Sequence, residues 1–316
     1  MTTFKEIRGT AIQSVSSDPS NPEIGQIWYN NSIGVLKGYQ LSAAAWSAGG
    51  NLSTARRRLG GAGTQTVGLA FGGFTTTNSN ATEEYDGSAW TAGGNMGTAV
   101  RALRGAGTQT AGLGFGGYTT ANTALTQEYD GSTWTSGGNL GTAIYAPGGA
   151  GTQTAGLSFG GQPSTAATEE YDGSAWSGGG NLGTARTNLG GTGTQTAGLA
   201  FGGGTPGNAT EEYDGSTWTT GGNLNTARNR PAGAGIQTAG LAFGGATTVN
   251  TGATEEYDGS AWTNTTSMAT ARDQLAGCGI QTAGLGFGGE TTANVADTEE
   301  YLGAVLAVRT ITTSTT

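Results

Sequence analysis

The chain has no histidine and a single cysteine, Cys278, among 316 residues. Without histidine it lacks both the commonest general base and the commonest transition-metal ligand. One cysteine permits neither an intrachain disulfide nor a thiolate metal cluster. Charged residues make up only 11% and the net charge is −9. That balance argues against a polyanion partner, because nucleic-acid binding runs on Lys and Arg neutralising phosphates. No apolar run approaches the roughly 18 residues of a membrane-spanning helix. The opening MTTFKEIRGTAIQ lacks the apolar stretch of a secretory signal. The expectation is a chain with no catalytic residue, no metal, no cofactor, no nucleic-acid partner and no membrane insertion.

Glycine is what the chain has in excess, at 62 residues. Glycine at that level without a pattern means low complexity; with a pattern it means repeats. FGG triplets begin at Phe71, Phe115, Phe159, Phe201, Phe243 and Phe287. Trp46, Trp90, Trp134, Trp176, Trp218 and Trp262 keep step with them, each 25 residues before the next FGG phenylalanine. Tyr85, Tyr129, Tyr171, Tyr213, Tyr257 and Tyr301 close an (E/Q)EY triplet in each copy. Between FGG and that tyrosine lie 11, 11, 9, 9, 11 and 11 residues. A two-residue indel keeps the pleat parity, so the tyrosine still faces the same way. Length therefore varies only in a loop between two strands.

Each unit carries four short strand signals. A small-residue strand such as Leu59-Gly60-Gly61-Ala62-Gly63 comes first, then the FGG strand, exemplified by Ala111–Phe115. Thr126–Tyr129 follows, running into an Asp-Gly turn and then Thr133-Trp134-Thr135. The first strands read GGAG, RGAG, GGAG, GGTG, AGAG and AGCG, suited to backbones that crowd around an axis. Four strands in some 43 residues is the size of a propeller blade. The expected fold is all-β, a six-bladed β-propeller with tryptophans packed between the blades.

These residues resemble the kelch repeat. Gly72-Gly73 ends a second strand, Tyr85 lies on a third, Trp90 on a fourth, and Asn95-Met96-Gly97-Thr98 leads onward. The kelch-position arginine stands at Arg56, Arg186, Arg228 and Arg272, with Val100 and Ile144 in the other two copies. The resemblance implies a propeller over residues 41–303 that serves as a binding platform. The copper chemistry known among such propellers would need histidine. Trp46 lacks a preceding EEY strand and Tyr301 lacks a following tryptophan, so Trp46 is expected beside Tyr301, closing the ring. Ala304–Thr310 is the competing outer strand.

Residues 1–40 stand outside the repeat. Asp18-Pro19-Ser20-Asn21-Pro22 reads as a turn-rich linker, and GQIWYN followed by Val35–Tyr39 as a β-hairpin. With LKG, and with Thr310–Thr316 ending the C-terminal tail of 304–316, this block resembles N-terminal segments of bacteriophage tail-fibre and other virion appendage proteins. The resemblance implies a virion protein, assembled in the host cytoplasm, joined to other virion proteins through residues 1–40. Its propeller would bind a cell-surface glycan or protein receptor, or a neighbouring subunit. The alternative is a cytoplasmic kelch scaffold.

Candidate chemistry is thin. The acidic pairs, such as Glu83-Glu84 and Glu211-Glu212, suggest glycoside hydrolysis only if two unlike carboxylates converge. Near-equivalence in six copies argues instead for bonds to backbone amides or to the arginine. The Tyr-Asp-Gly turns miss the sialidase Asp-box by one residue. Arg56-Arg57-Arg58 reads as one structural arginine and two solvated ones. The variable loops remain, and Phe74, Thr75, Asn78, Tyr118, Thr119 and Asn122 are the expected partner-binding residues.

Overall fold

The structure, a computed structural model, describes residues 12–204 and 207–311. The expectations placed on the first eleven residues and on Thr312–Thr316 lie outside the described residues. The described chain is all-β, without helices, and holds seven four-stranded sheets. Two compact units divide it, residues 45–302 and a smaller unit of 1–44 with 303–316.

The larger unit holds six antiparallel sheets in a propeller-like repeat. The first consists of Gly60–Gly63, Gly68–Phe71, Thr82–Tyr85 and Trp90–Ala92, joined in chain order. Four further sheets repeat this arrangement. The sixth takes three strands from Ala276–Leu302 and its fourth from Ala45–Ala48, with Tyr301 opposite Trp46. Leu306–Thr310, the competing outer strand, pairs elsewhere.

Strands this short cannot stand alone as sheets, so the contacts between sheets hold the unit together. A Cβ at Gly105 would lie 2.3 Å from the Gly61 carbonyl oxygen, and one at Gly191 would lie 2.9 Å from that of Gly149. At these glycines the first strands approach too closely for a side chain. Further out, Trp134 packs on Phe71 of the preceding repeat at 4.8 Å and donates its indole N–H to Thr82 Oγ1 at 2.9 Å. Trp46 does the same with Phe243 and Thr254. Tyr129 donates its hydroxyl to Glu84 Oε1 at 2.5 Å while accepting from Gly94 N at 3.3 Å. Gln109 Nε2 donates to the Gly68 and Tyr85 carbonyls.

In the smaller unit, Ile27–Asn30 and Val35–Leu41 form the expected hairpin. Gln13–Val15 adds in parallel on one side and Leu306–Thr310 antiparallel on the other. The segment read as a tail thus contributes a strand. Asp18, read as part of a linker, is the hub: its carboxylate accepts from Trp28 Nε1, Asn30 Nδ2 and Lys37 Nζ at 3.0, 2.9 and 2.7 Å. The Lys37 bond, then those of Asn30 and Trp28, hold its pKa down at about 2.

Two expected outcomes follow the titrating groups. Asp18 has its pKa lowered by folding, so its contribution is present above the ordinary carboxylate value near 4 and lost as pH falls towards 2. Trp28 fluorescence should report loosening in that window, and Asp18→Asn should reproduce it at neutral pH. The phenols of Tyr85, Tyr129, Tyr171, Tyr213 and Tyr257 are raised to about 12, first by burial and then by the facing glutamate. Their contribution is full below pH about 10 and disappears as pH rises through 12. Denaturant midpoints should stay level to pH 9 and collapse between 10 and 12.

Candidate functional site

The acidic pairs are engaged throughout. The first glutamate meets the recurrent arginine in four repeats: Arg56–Glu83 at 3.0 Å, Arg186–Glu211 at 2.8 Å, Arg228–Glu255 at 2.9 Å and Arg272–Glu299 at 3.3 Å. Where Val100 replaces arginine, Gln127 stands in place of the acid and accepts from Gly97 N at 2.8 Å. Where Ile144 replaces it, Glu169 accepts from Gly141 N at 2.6 Å and Thr142 N at 3.2 Å. The second glutamate receives the tyrosine of the next repeat, a role the spacing alone did not disclose. The turn aspartates accept from the amides two and three residues on, as Asp86 does at 2.8 Å from Ser88 and Ala89. Cys278 is buried, and burial raises its thiol to about 12. No group of three or more metal-ligating His, Cys, Asp or Glu occurs among the described residues.

Repetition breaks down on one face. There the second residue before the first strand of each repeat is left-handed: Arg58, Ala102, Ala146, Asn188, Arg230 and Gln274, with φ between 50° and 56°. Their backbones are tied together, Arg58 N to Gln274 O at 2.8 Å, Ala102 N to Arg58 O at 2.7 Å and Ala146 N to Ala102 O at 2.9 Å. Such strain persists only where surrounding structure over-determines it. All six line one recess of about 50 Å³.

Outside the recess the variable loops begin. Arg57 and Arg101 both lie over the Phe74 ring, at 5.2 and 5.0 Å, and Arg101 also lies over Tyr118 at 4.4 Å. Tyr118 meets Tyr145 edge-on at 6.0 Å. Arg58 donates to Tyr145 Oη and to Gln274 Oε1, and Arg57 pairs with Glu290, which also accepts from Gln274 Nε2. Arg57 and Arg58, expected to be solvated, are instead half-buried members of this network. Each guanidinium finds an aromatic face or amide oxygen at a distance that solvent would otherwise occupy.

The expected partner-binding residues divide. Phe74 and Tyr118 sit together on this face, bridged by Arg101. Asn78 Nδ2 donates to the Tyr118 and Thr119 carbonyls at 3.0 and 2.8 Å, and Asn122 Nδ2 to the Gln162 carbonyl at 2.9 Å. Asn294 ties back to the Phe74 and Thr75 carbonyls. These asparagines therefore fasten one loop to the next, and Thr75 and Thr119 supply backbone to those ties.

Arg104 was not singled out by sequence reasoning. It opens its first strand where the other copies hold Gly60, Gly148, Gly190, Ala232 and Ala276. Its side chain crosses to neighbouring repeats and donates Nε to the Pro147 carbonyl at 2.9 Å and Nη2 to the Leu189 carbonyl at 2.8 Å. No carboxylate pairs with it among the described residues, and burial lowers its pKa to about 10. The available signal was a charged residue in a column otherwise glycine or alanine.

No protein-family model and no curated protein matches this chain.

The left-handed turn has a direct consequence at Ala146, whose φ is 50°. A β-branched residue suffers there far more than alanine, so Ala146→Val should cost about 1–2 kcal/mol. Ala146→Gly should cost nothing, and equilibrium denaturant unfolding of the two variants measures the contrast.

Proposed function

We propose that residues 45–302 form a six-bladed, kelch-like β-propeller that works as a binding module without catalysis, within a virion appendage protein of the tail-fibre kind. In this reading residues 1–40 join other virion proteins. The face bearing the variable loops meets a cell-surface glycan or protein receptor, or a neighbouring subunit. Assembly occurs in the host cytoplasm.

One observation carries the binding role: departures from repetition gather on one face. After the double glycine stand Phe74, Tyr118, Gln162, Gly204, Ala246 and Glu290, six different residues on equivalent supports. The Asp-Gly turns of the third and fourth strands stay nearly uniform. A rigid scaffold holding unlike groups on one rim suits recognition. The propeller reading draws support from the first and sixth sheets meeting as neighbours do elsewhere. Tyr85 donates to Glu300 at 2.6 Å, and a Cβ at Gly61 would lie 3.3 Å from the Gly277 carbonyl oxygen. A non-catalytic role is supported by the engagement of the paired glutamates in bonds between and within repeats.

Immunogold labelling of particles released by cells that make this chain is the direct test. Antibody against residues 45–302 should mark particle appendages; labelling confined to the cytoplasm would favour the scaffold reading and sink this one. Replacing residues 74–80 and 118–125 with the shorter loop of 162–167 should weaken adsorption by about tenfold or more. Unchanged adsorption with an unchanged unfolding midpoint would move recognition to another surface.

A further inference from the structure

We propose that the recess bounded by the six left-handed residues is a binding site for the carboxylate group of a small organic acid. The site lies wholly within residues 45–302 and does not depend on the virion reading.

Charge supplies the first argument. Three guanidiniums, those of Arg58, Arg104 and Arg230, line the recess. Among the described residues the carboxylate paired with any of them is that of Asp273, on Arg230 at 3.0 Å. Three positive charges against one negative leave a surplus of two, in a chain whose net charge is −9. A partly desolvated guanidinium without a counter-anion is unfavourable unless an anion completes it.

Geometry supplies the second. Arg104 has spent Nε and one Nη2 hydrogen on the Pro147 and Leu189 carbonyls, and Arg58 has spent Nε and Nη1 on Gln274 and Tyr145. Nη1 of Arg104 and Nη2 of Arg58 hold no bond among the described residues. A guanidinium fork matches a planar carboxylate. The recess, about 50 Å³, has room for roughly three or four waters, the bulk of a carboxylate and its carbon. Asn188, which also lines the recess, adds an amide able to meet a hydroxyl on the rest of the acid.

The repeat supplies the third, because it contains its own control. At the Arg104 position the other five copies fold with glycine or alanine. Arg104→Ala therefore returns this repeat to the pattern of its neighbours. If the arginine were a strut, losing two backbone bonds would destabilise the fold. If it is an anion ligand, removing a half-buried cation that has no carboxylate partner leaves the fold as stable or more so.

Thermal unfolding of the full chain at matched ionic strength separates the cases, with acetate, glucuronate, glucose and inorganic phosphate as probes. Acetate or glucuronate should raise the midpoint saturably in the wild type, while glucose and phosphate should not. Arg104→Ala should bind the carboxylate about tenfold more weakly or worse. Its own midpoint without ligand should equal or exceed the wild type, by ~2 °C. Failure of both carboxylates to shift the wild type, or an equal shift in Arg104→Ala, overturns the site. A phosphate shift matching that of the carboxylates overturns the carboxylate assignment. A lower ligand-free midpoint for Arg104→Ala makes the arginine a strut and overturns it as well.

Discussion

The larger unit depends on a hydroxyl held between two sheets. Each repeat tyrosine donates to a glutamate of a neighbouring repeat and, in five of the six, accepts an amide from the glycine-rich link that precedes its own repeat. Without that bond a sheet of four short strands has little to hold it in place, because each contributes only a few large apolar side chains. Tryptophan and glutamine act across the same boundary, the one with a ring on phenylalanine and an indole bond to threonine, the other with an amide on two carbonyls. Stability in such an array is a sum of neighbour terms, so the fold is only as continuous as its boundaries. That explains why composition varies so little there and so freely in the loops.

What could be read from the chain follows from this. Fixed spacings disclosed the repeats, the strand sequence within each, the Asp-Gly turns and the pairing of Tyr301 with Trp46, because each is local or enforced by periodicity. The partner of a repeated polar group was harder to see. Gln65, Gln109, Gln153, Gln195, Gln237 and Gln281 recur in every copy, yet their acceptors lie on another sheet. Asp18 looked like a turn residue because Trp28, Asn30 and Lys37 converge on it only once the hairpin forms. Arg58, Arg104 and Arg230 belong to different repeats and meet because equivalent positions converge in space. The misreading of Arg57 and Arg58 as solvated has the same origin: their partners, Phe74, Tyr145, Gln274 and Glu290, are mostly remote in sequence.

The charged face shows how a symmetrical frame accommodates an asymmetrical surface. Interior boundaries use nearly the same bonds in every copy, so little can change there without losing a neighbour. The residues around the recess occupy equivalent backbone positions but share no common side-chain chemistry. Left-handed strain at all six is set by the turn into the first strand and by the carbonyl–amide ties between adjacent turns. It is therefore a property of the frame, whereas the guanidiniums, amides and aromatic rings it carries are free to differ. Arginine at the entrance to the second repeat intrudes on space the other copies leave to glycine or alanine, a local compromise of the kind associated with binding surfaces.

The arginine–glutamate pair also shows how repeats of one pattern can differ. Four repeats hold a buried pair, one holds Val100 and Gln127 in place of both members, and one holds Ile144 with the acid Glu169. Stranding a buried charge costs about 3–5 kcal/mol, so the two members cannot ordinarily change one at a time. Glu169 beside Ile144 shows a passage around that barrier, because its carboxylate is half-buried and already holds two backbone amides. A duplicated unit can thus abandon its ion pair by a route of single steps, provided the acid first finds a place at the water's edge.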